Sequence, residues 1–491
     1  MERTSKAYIS NAVRASSDKK MKDTFAITIA VIALVIGGVV GYFVAPTAPG
    51  PAETVTVTGA ERTVTVTQTA VVTTTPPLPK KLTVWWSTPV FAAEKELIPQ
   101  YVEDFMKATG AEVEWVSFPH VELDEKIMPA VETRTNPDII FQAHSHVLTI
   151  LHEQGKLMPL TDVIDEIGRD DIFPFLLEMA RSPKDGVEYM LPYYPQGNWF
   201  HYRKDILASA GYTNPPETWD ELLEIARAVN KPEEGIYALG FPLGATTIND
   251  APMTFEQILW SYGGQLVAVD GETVMIDSEA ALKTLEFYDQ IINVDKTQTE
   301  SGLTWGAYDN NVAFQDLGNI VFTGNPGGTI VSWMRDNNPD MYPYAGTAPW
   351  PKGPTGKHYL LVAAMAFGIF KNAKNPELAK DFVKFFCEKD RYLELIKTTV
   401  PYNYPMLMSA LDDPLFKDPP MWEMFSQLTD PNVEKRLWGY ASGPTGAVAE
   451  VYSAEVFAHM IERIAIDKWT PQEALDEGVA AIKAIYDKWY G

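Results

Sequence analysis

The sequence predicts an α/β fold in two lobes, each a mostly parallel sheet flanked by helices, with a transmembrane helix at the N-terminus. The chain has 491 residues, which is too long for one compact domain. Beyond residue 82, short apolar runs alternate with amphipathic helical patterns, as is typical of parallel sheets. Residues 25–44 form an almost wholly apolar run, and about 20 helical residues span a bilayer core.

Residues 1–24 are expected to form a basic cytoplasmic tail, and residues 25–45 a transmembrane anchor or a signal. The first 23 residues hold six lysines and arginines against three acidic residues. By the positive-inside rule this end stays in the cytoplasm, so the rest of the chain lies outside the cell membrane. A cleaved signal peptide is the alternative, although the apolar run is long for one and starts far from Met1.

Residues 46–81 change to a Thr- and Pro-rich composition. Their alternating Thr and Val could form a strand. The flanking prolines and the lack of large apolar residues instead predict an extended stalk.

The overall composition excludes several classes of protein. The formal net charge is −25, and no basic stripe follows the first two dozen residues, so we expect no nucleic-acid partner. Cys387 is the only cysteine, which rules out an intramolecular disulfide and a cysteine-based metal site. Walker, Gly-x-Ser-x-Gly and Gly-x-Gly-x-x-Gly motifs are absent from the sequence, so nucleotide and acyl-transfer chemistry lack support. We expect a monomer without a cofactor.

The globular part opens with three strands separated by helices. The sequences of these strands are KLTVWWS, EVEWVSF and DIIFQ. Ligands of parallel α/β sheets bind beyond the carboxyl ends of the strands. Those ends are Trp86 and Ser87 in the first strand, and Ala143 and His144 after the third.

Residues 191–229 combine an aromatic, proline-punctuated crossing with two helices. Tyr194 and Asn198 lie in the crossing. Thr218 and Glu221 form a capping box at the start of the second helix, whose buried face includes Leu222.

The same stretch resembles the signature of the family 1 extracellular solute-binding proteins of ABC importers, whose best-known members bind maltose and other sugars. The resemblance extends from about Leu82 to the C-terminus. The matching residues are Pro192, Tyr202, Arg203, Lys204, Asp205, Gly211, Pro215, Pro216, Thr218, Trp219, Asp220 and Glu221.

The resemblance implies a periplasmic-binding-protein-like fold. Residues 82–194 and 352–400 would form lobe 1, and residues 195–351 and 401–491 lobe 2. Hinge crossings would lie near 194–197, near 350–353 and near Val400. It also implies delivery of the solute to ABC permease subunits, without catalysis. A stalked anchor at the cell membrane resembles the archaeal members of the family.

His144 and His146 are the only close pair of histidines. On a strand they would share a face, so they could bind a metal. We expect instead that they line a loop or cleft, and we predict no metal site.

Tryptophans at strand ends and in Gly- or Asn-rich loops favour an uncharged carbohydrate, because a sugar ring offers an apolar face and a rim of hydroxyls. Two other functions remain open: a binding protein for a charged solute such as a peptide, phosphate ester or polyamine, and a secreted glycoside hydrolase, which would need a pair of carboxylates in the cleft. The predicted ligand-binding residues are Trp86, Ser87, His144, Tyr194, Asn198, Trp305, Asn325, Trp333 and Trp438.

Overall fold

A computed structural model describes residues 53–59, 62–68, 80–142, 144–245, 250–306 and 308–491. The predicted basic tail at 1–24 and the predicted membrane segment at 25–45 lie outside these residues. Within the described ranges, none of the helices has the length and apolar character needed to cross a membrane.

The chain divides into two compact units, Met1–Leu78 and Pro79–Gly491. In the first unit, β1 (Glu53–Gly59) and β2 (Arg62–Gln68) pair antiparallel with Gly59 opposite Arg62. The prediction of an extended stalk is therefore wrong for these residues. The alternating β-branched Val and Thr favoured strand pairing more strongly than the flanking prolines opposed it.

The second unit contains a nine-stranded sheet in the order β4-β3-β5-β10-β6-β8-β7, with β11 beside β10 and β9 beside β6. The strands are β3 (Lys81–Ser87), β4 (Glu112–Phe118), β5 (Ile139–Gln142), β6 (Leu191–Arg203), β7 (Tyr237–Leu239), β8 (Ile320–Pro326), β9 (Ala345–Ala348), β10 (His358–Ile369) and β11 (Val433–Leu437).

Helices connect these strands and cover the sheet. They are α1 (Ala92–Thr109), α2 (His120–Thr133), α3 (Ser145–Glu153), α4 (Thr161–Ile167), α5 (Pro174–Ala180), α6 (Lys204–Ser209), α7 (Trp219–Val229), α8 (Asp250–Ser261), α9 (Glu279–Asp289), α10 (Asp309–Gln315), α11 (Thr329–Asn337), α12 (Pro376–Cys387), α13 (Lys389–Lys397), α14 (Pro419–Thr429), α15 (Gly446–Ser453), α16 (Val456–Ala465) and α17 (Pro471–Tyr490).

Two long strands, β6 and β10, join the two halves of the sheet. The first part of β6 pairs with β10 up to Gly197, and its second part pairs with β8 and β9 from Asn198 onward. Strands β3, β4 and β5 are parallel as predicted. The prediction of a mostly parallel sheet is wrong for the second half, because β6 runs antiparallel to both β8 and β9 there.

The second unit holds two large hydrophobic cores, which we take as the two lobes. The first core gathers residues between 82 and 199 and between 360 and 437, together with Val331. The second gathers residues between 200 and 361 and between 438 and 486. On β10 the side chains alternate, since Leu360 packs into the first core and Leu361 into the second.

These cores correct the predicted lobe boundaries. The predicted boundaries place residues 401–437 in lobe 2, yet Tyr404, Phe425 and Val433 pack into the first core. The cause is β11, which pairs in parallel with β10 and keeps the preceding helix α14 on the first lobe.

The capping signals define two helix starts correctly. The Thr218 side chain accepts a hydrogen bond from the backbone N–H of Glu221 at the start of α7. Thr470 and Glu473 form a capping box at the start of α17.

Candidate ligand-binding cleft

A cavity of about 470 Å³ lies between the two cores. Three of its lining segments follow the carboxyl ends of the parallel strands β3, β4 and β5, where the sequence predicted a site. The remaining lining comes from the crossing strands, from lobe 2, and from Lys95 and Tyr402 of lobe 1. The lining residues are Thr88, Pro89, Val90, Lys95, Pro119, His120, Val121, His144, Ser145, His146, Gln196, Asp250, Met253, Tyr308, Asn311, Asn325, Pro326, Thr329, Ala363, Met365, Tyr402, Trp438 and Tyr452.

Three histidines form the polar part of the lobe 1 wall. The His144 ring stacks on His146 with centroids 5.7 Å apart, and the His120 ring lies 6.2 Å from His144. The Nδ1 atom of His144 lies 2.6 Å from a carboxylate oxygen of Asp124. Burial, followed by the effect of the neighbouring His144, lowers the pKa of both His120 and His146 to about 4. At neutral pH these two imidazoles are uncharged and offer hydrogen bonds.

The metal alternative for His144 and His146 finds no support in the described part of the chain, which contains no group of three or more His, Cys, Asp or Glu residues arranged to hold a metal ion. The pair also does not lie on a strand. His144 is the N-cap of α3, and His146 belongs to its first turn.

A ring of hydrogen bonds forms the opposite polar wall in lobe 2. The Asn325 amide donates to the Asn311 side-chain oxygen at 2.5 Å. The Asn311 amide donates to the Thr329 hydroxyl at 3.0 Å, and this hydroxyl donates to the Asn325 side-chain oxygen at 2.5 Å. The ring fixes the orientation of both amides, so their remaining donor and acceptor positions are preorganised for a ligand.

The glycines that follow Asn325 let the chain approach closely. The backbone N–H of Gly328 donates to the carbonyl of Tyr402 at 3.0 Å. A Cβ atom at Gly328 would lie 1.9 Å from the Pro401 carbonyl oxygen, so a larger residue would force this segment apart. The glycine therefore allows Tyr402 to reach the cavity beside the hydrogen-bonded ring of Asn325, Asn311 and Thr329.

Asp250 is the only carboxylate among the described lining residues. It lies at the start of α8 and is 6% exposed. Burial raises its pKa well above the ordinary value, and the nearby carboxyl of Glu455 adds to the effect. The ion pairs of the described residues do not include Asp250, and its raised pKa favours the neutral carboxyl group, which can both donate and accept a hydrogen bond.

Aromatic rings form one side of the cavity. The Trp438 and Tyr452 rings meet edge to face with centroids 5.4 Å apart. The His146 ring lies 6.0 Å from Trp438 and links this aromatic wall to the histidines. Tyr308 lies at the edge of the cavity and is 58% exposed.

Three of the predicted ligand-binding residues, His144, Asn325 and Trp438, line the cavity. Ser87 lies one residue before the lining Thr88, and its hydroxyl donates to the Gln142 side-chain oxygen at 3.3 Å. The other predicted residues lie outside the lining.

Trp86 corrects the prediction most clearly. Its ring stacks on Phe141 with centroids 4.3 Å apart, and it meets Phe367 and Phe386 at 5.2 and 5.3 Å inside the first core. It is buried because Leu82, Val84 and Trp86 alternate on the inward face of β3.

The remaining predicted residues have structural neighbours. Tyr194 is buried with its ring 4.8 Å from Tyr193. Asn198 is buried, and its backbone carbonyl accepts a hydrogen bond from the Trp350 indole at 2.6 Å. Trp305 and Trp333 pack with a small third cluster that includes Phe314 and Met334. Their loop-like sequence surroundings suggest a cleft, but Trp305 is buried in this cluster and Trp333 is half-buried against it.

Sequence reasoning missed several lining residues, among them Asp250, Tyr308 and Tyr402. Tyr402 follows the crossing predicted near Val400, so a search beside that crossing would have found it. Asp250 and Tyr308 had no local signal, because only the fold brings them together.

Comparison with known proteins supports the fold and the family resemblance. The model of a family described as "bacterial extracellular solute-binding protein" matches residues 87–390. A binding protein of Brucella abortus is 27% identical over 302 residues, which are 59% of this chain and 69% of that protein. The maltotriose-binding protein of Pyrococcus abyssi is 24% identical over 378 residues, which are 73% and 75% of the two chains. The maltose-bound MalE3 structure from Thermotoga maritima has a TM-score of 0.67 at 24% identity and covers 82% of this chain and 99% of that one. This structure shows that the two proteins share a fold.

Proposed function

The chain belongs to the bacterial extracellular solute-binding protein family, and we propose that it captures an uncharged sugar or oligosaccharide between its lobes and delivers it to the permease subunits of an ABC importer. The observation that carries this proposal is the composition of the cavity, where an aromatic wall faces a preorganised amide ring and two uncharged histidines. An aromatic surface covers the apolar face of a sugar ring, while the amides and Asp250 pair with its hydroxyls.

The cavity charges favour a neutral ligand over a charged one. Lys95 is the only lysine or arginine among the described lining residues, and it is exposed to solvent. A phosphate ester would need several cationic or backbone donors, and a polyamine would need more than one carboxylate. The cavity provides a single carboxylate, Asp250.

The presence of a single carboxyl group among the described lining residues also disfavours a glycoside hydrolase. Such an enzyme places two carboxyl groups about 5 to 9.5 Å apart on either side of the scissile bond. Glu256 is buried behind Tyr452 and outside the lining. We therefore propose that the ligand is bound and released unchanged.

We further propose that residues 25–45 anchor the protein in the cell membrane, with the second unit outside. This part of the proposal depends on the apolar run and the basic tail of the sequence. Binding would draw the lobes together about the crossings, as in hinge closure of periplasmic binding proteins. The exposed apolar residues Val90, Val121 and Tyr308 at the cavity edges would then lose contact with water.

Thermal shift on the full-length protein tests the ligand class, in a detergent without a sugar headgroup. Maltose and maltotriose are the neutral probes, and spermidine, a dipeptide and glucose 6-phosphate are the charged ones. A ligand at 100 times its dissociation constant should stabilise the fold by about 2.7 kcal/mol. Stabilisation by a charged probe alone would contradict the proposal. Chromatography of recovered maltotriose checks that no bond is broken.

A further inference from the structure

Glu256 is a buried carboxyl that lies directly behind the aromatic wall of the cavity. It belongs to α8, is fully buried and does not line the cavity. Its carboxylate accepts a hydrogen bond from the Tyr452 hydroxyl. It also accepts the backbone N–H of Gly439, which lies 3.2 Å from each of its oxygens.

Both groups that Glu256 holds belong to the aromatic wall or directly adjoin it. Gly439 follows Trp438 in the chain, and Tyr452 lies on α15. These two aromatic residues come from different elements, and a glycine-containing segment, residues 439–445, connects them. A single carboxyl group on α8 is thus hydrogen-bonded to both segments that supply the aromatic wall.

The local backbone is built to present this N–H group. Gly439 has φ of 72°, a left-handed conformation that favours glycine. A Cβ atom there would lie 2.5 Å from a methyl carbon of Val448. The turn therefore needs glycine, and its N–H group is directed to the Glu256 carboxylate.

Burying a carboxyl group in a hydrophobic core costs free energy unless hydrogen bonds offset the cost. An apolar side chain at position 256 would fill the space without this cost, but it would leave the Tyr452 hydroxyl and the Gly439 N–H without an acceptor. The charged or titratable groups that act on Glu256 come from three other elements: Tyr452 on α15, Arg436 on β11 and Tyr486 on α17.

We propose that Glu256 is a positioning residue, which fixes the Trp438 and Tyr452 rings in the geometry that a ligand meets. This inference rests on the proposed function for its binding consequence, but the position of Trp438 can be measured without a ligand. Glu256 acts through the two aromatic residues and does not touch the ligand itself.

The ligand-free experiment measures acrylamide quenching of Trp438, which is 3% exposed. The emission of Trp438 is obtained by subtracting the fluorescence spectrum of the same variant carrying Trp438→Phe from the spectrum of each variant. In Glu256→Ala we expect the quenching constant of Trp438 to rise severalfold, because both hydrogen bonds are lost. Glu256→Gln retains one acceptor oxygen and should restore part of the shielding. Glu188→Gln is the matched control, since it alters a buried carboxyl that pairs with Arg169 and lies outside the cavity lining.

The binding experiment uses maltotriose as the probe and isothermal titration calorimetry on the full-length protein. Glu256→Ala should weaken binding about tenfold, since it removes both hydrogen bonds that hold the aromatic wall. In a Tyr452→Phe background the same substitution should cost less, because one of its partners is already missing. If Glu256→Ala does not fold, Glu256→Gln can replace it in the same double-mutant cycle, with and without Tyr452→Phe.

Unchanged shielding of Trp438 in folded Glu256→Ala or Glu256→Gln would overturn the inference. Equal losses of affinity with and without the Tyr452 hydroxyl would also overturn it. Lost shielding in a protein that binds no sugar would support the positioning role and contradict the proposed function instead.

Discussion

Replacing Trp86 with alanine should destabilise lobe 1 strongly and leave the ligand site intact. Trp86 is 1% exposed and is surrounded by Phe141, Phe367 and Phe386 at centroid distances between 4.3 and 5.3 Å. Truncating a buried aromatic side chain to alanine typically costs about 3 to 5 kcal/mol, which includes the cavity left behind. Each favourable ring pair contributes roughly 0.5 to 1.5 kcal/mol beyond area burial, so we expect the upper part of that range.

Trp85 provides a matched control on the same strand. Its side chain points to the other face of β3, where it is half-buried against Phe118 at 5.2 Å. Trp85→Ala removes the same atoms as Trp86→Ala but should destabilise less, because more of its surface already meets water.

Urea unfolding followed by circular dichroism measures the stability of both variants, and calorimetry measures maltotriose binding at low temperature, where both are folded. Trp86→Phe retains a ring and serves if Trp86→Ala does not fold. We expect affinities within about threefold of the parent protein. A Trp86 variant with parental stability and a large loss of affinity would refute the core placement and restore the residue to the ligand site.

Four further predictions address the site, the fold and the proposed closure. Asp250→Asn should weaken maltotriose binding about threefold to tenfold in calorimetry, because it alters the hydrogen bonds of a buried carboxyl group and a neutral hydrogen bond contributes about 0.5 to 1.5 kcal/mol; an unchanged affinity would remove Asp250 from the site. Burial raises the pKa of Glu256 to about 8 from an ordinary value of 4.5, so the folded state holds a proton that the unfolded state releases, and stability falls as pH rises from about 4.5 to about 8. Relative to Glu256→Gln, the loss should be on the order of 5 kcal/mol in urea melts, and parallel pH curves would contradict it. Thr470→Ala should cost about 0.5 to 2 kcal/mol in the same melts through loss of the α17 cap, without a change in affinity. Small-angle scattering should show a smaller radius of gyration with saturating maltotriose, whereas an unchanged profile would argue against lobe closure.

Local chemistry in the sequence predicted many elements correctly. The caps at Thr218 and Thr470 depend on side-chain and backbone atoms only three residues apart, so they can be identified without the tertiary structure. The positions of β3, β4 and β5 follow from short apolar runs between helices. The site was also expected beyond the carboxyl ends of these strands, and the cavity lies there.

The errors arise where distant segments meet. Residues 401–437 pack on lobe 1 because β11 pairs with β10. In this pairing Val433 lies opposite His358, which is about 75 residues earlier in the chain. The amino-acid composition of these segments does not indicate that pairing. Trp86 was different, because its alternation with Leu82 and Val84 was visible in the sequence. Its place at a strand end suggests contact with a ligand, but the period-2 pattern turns its side chain into the core.

The charges that line the cavity restrict the class of ligand more than the shape of the cavity does. The protein carries a net charge of −25, yet among the described lining residues only Asp250 is acidic and only Lys95 is a lysine or arginine. With the pKa of His120 and His146 near 4, these two imidazoles of the lobe 1 wall are polar but uncharged at neutral pH. A charged ligand would lose its hydration there without gaining a network of opposite charges. A ligand with many hydroxyl groups exchanges water for amide, imidazole and carboxylate partners at little electrostatic cost. Its O–H groups can exchange hydrogen bonds with the buried carboxyl group of Asp250, which has no cationic partner among the described residues.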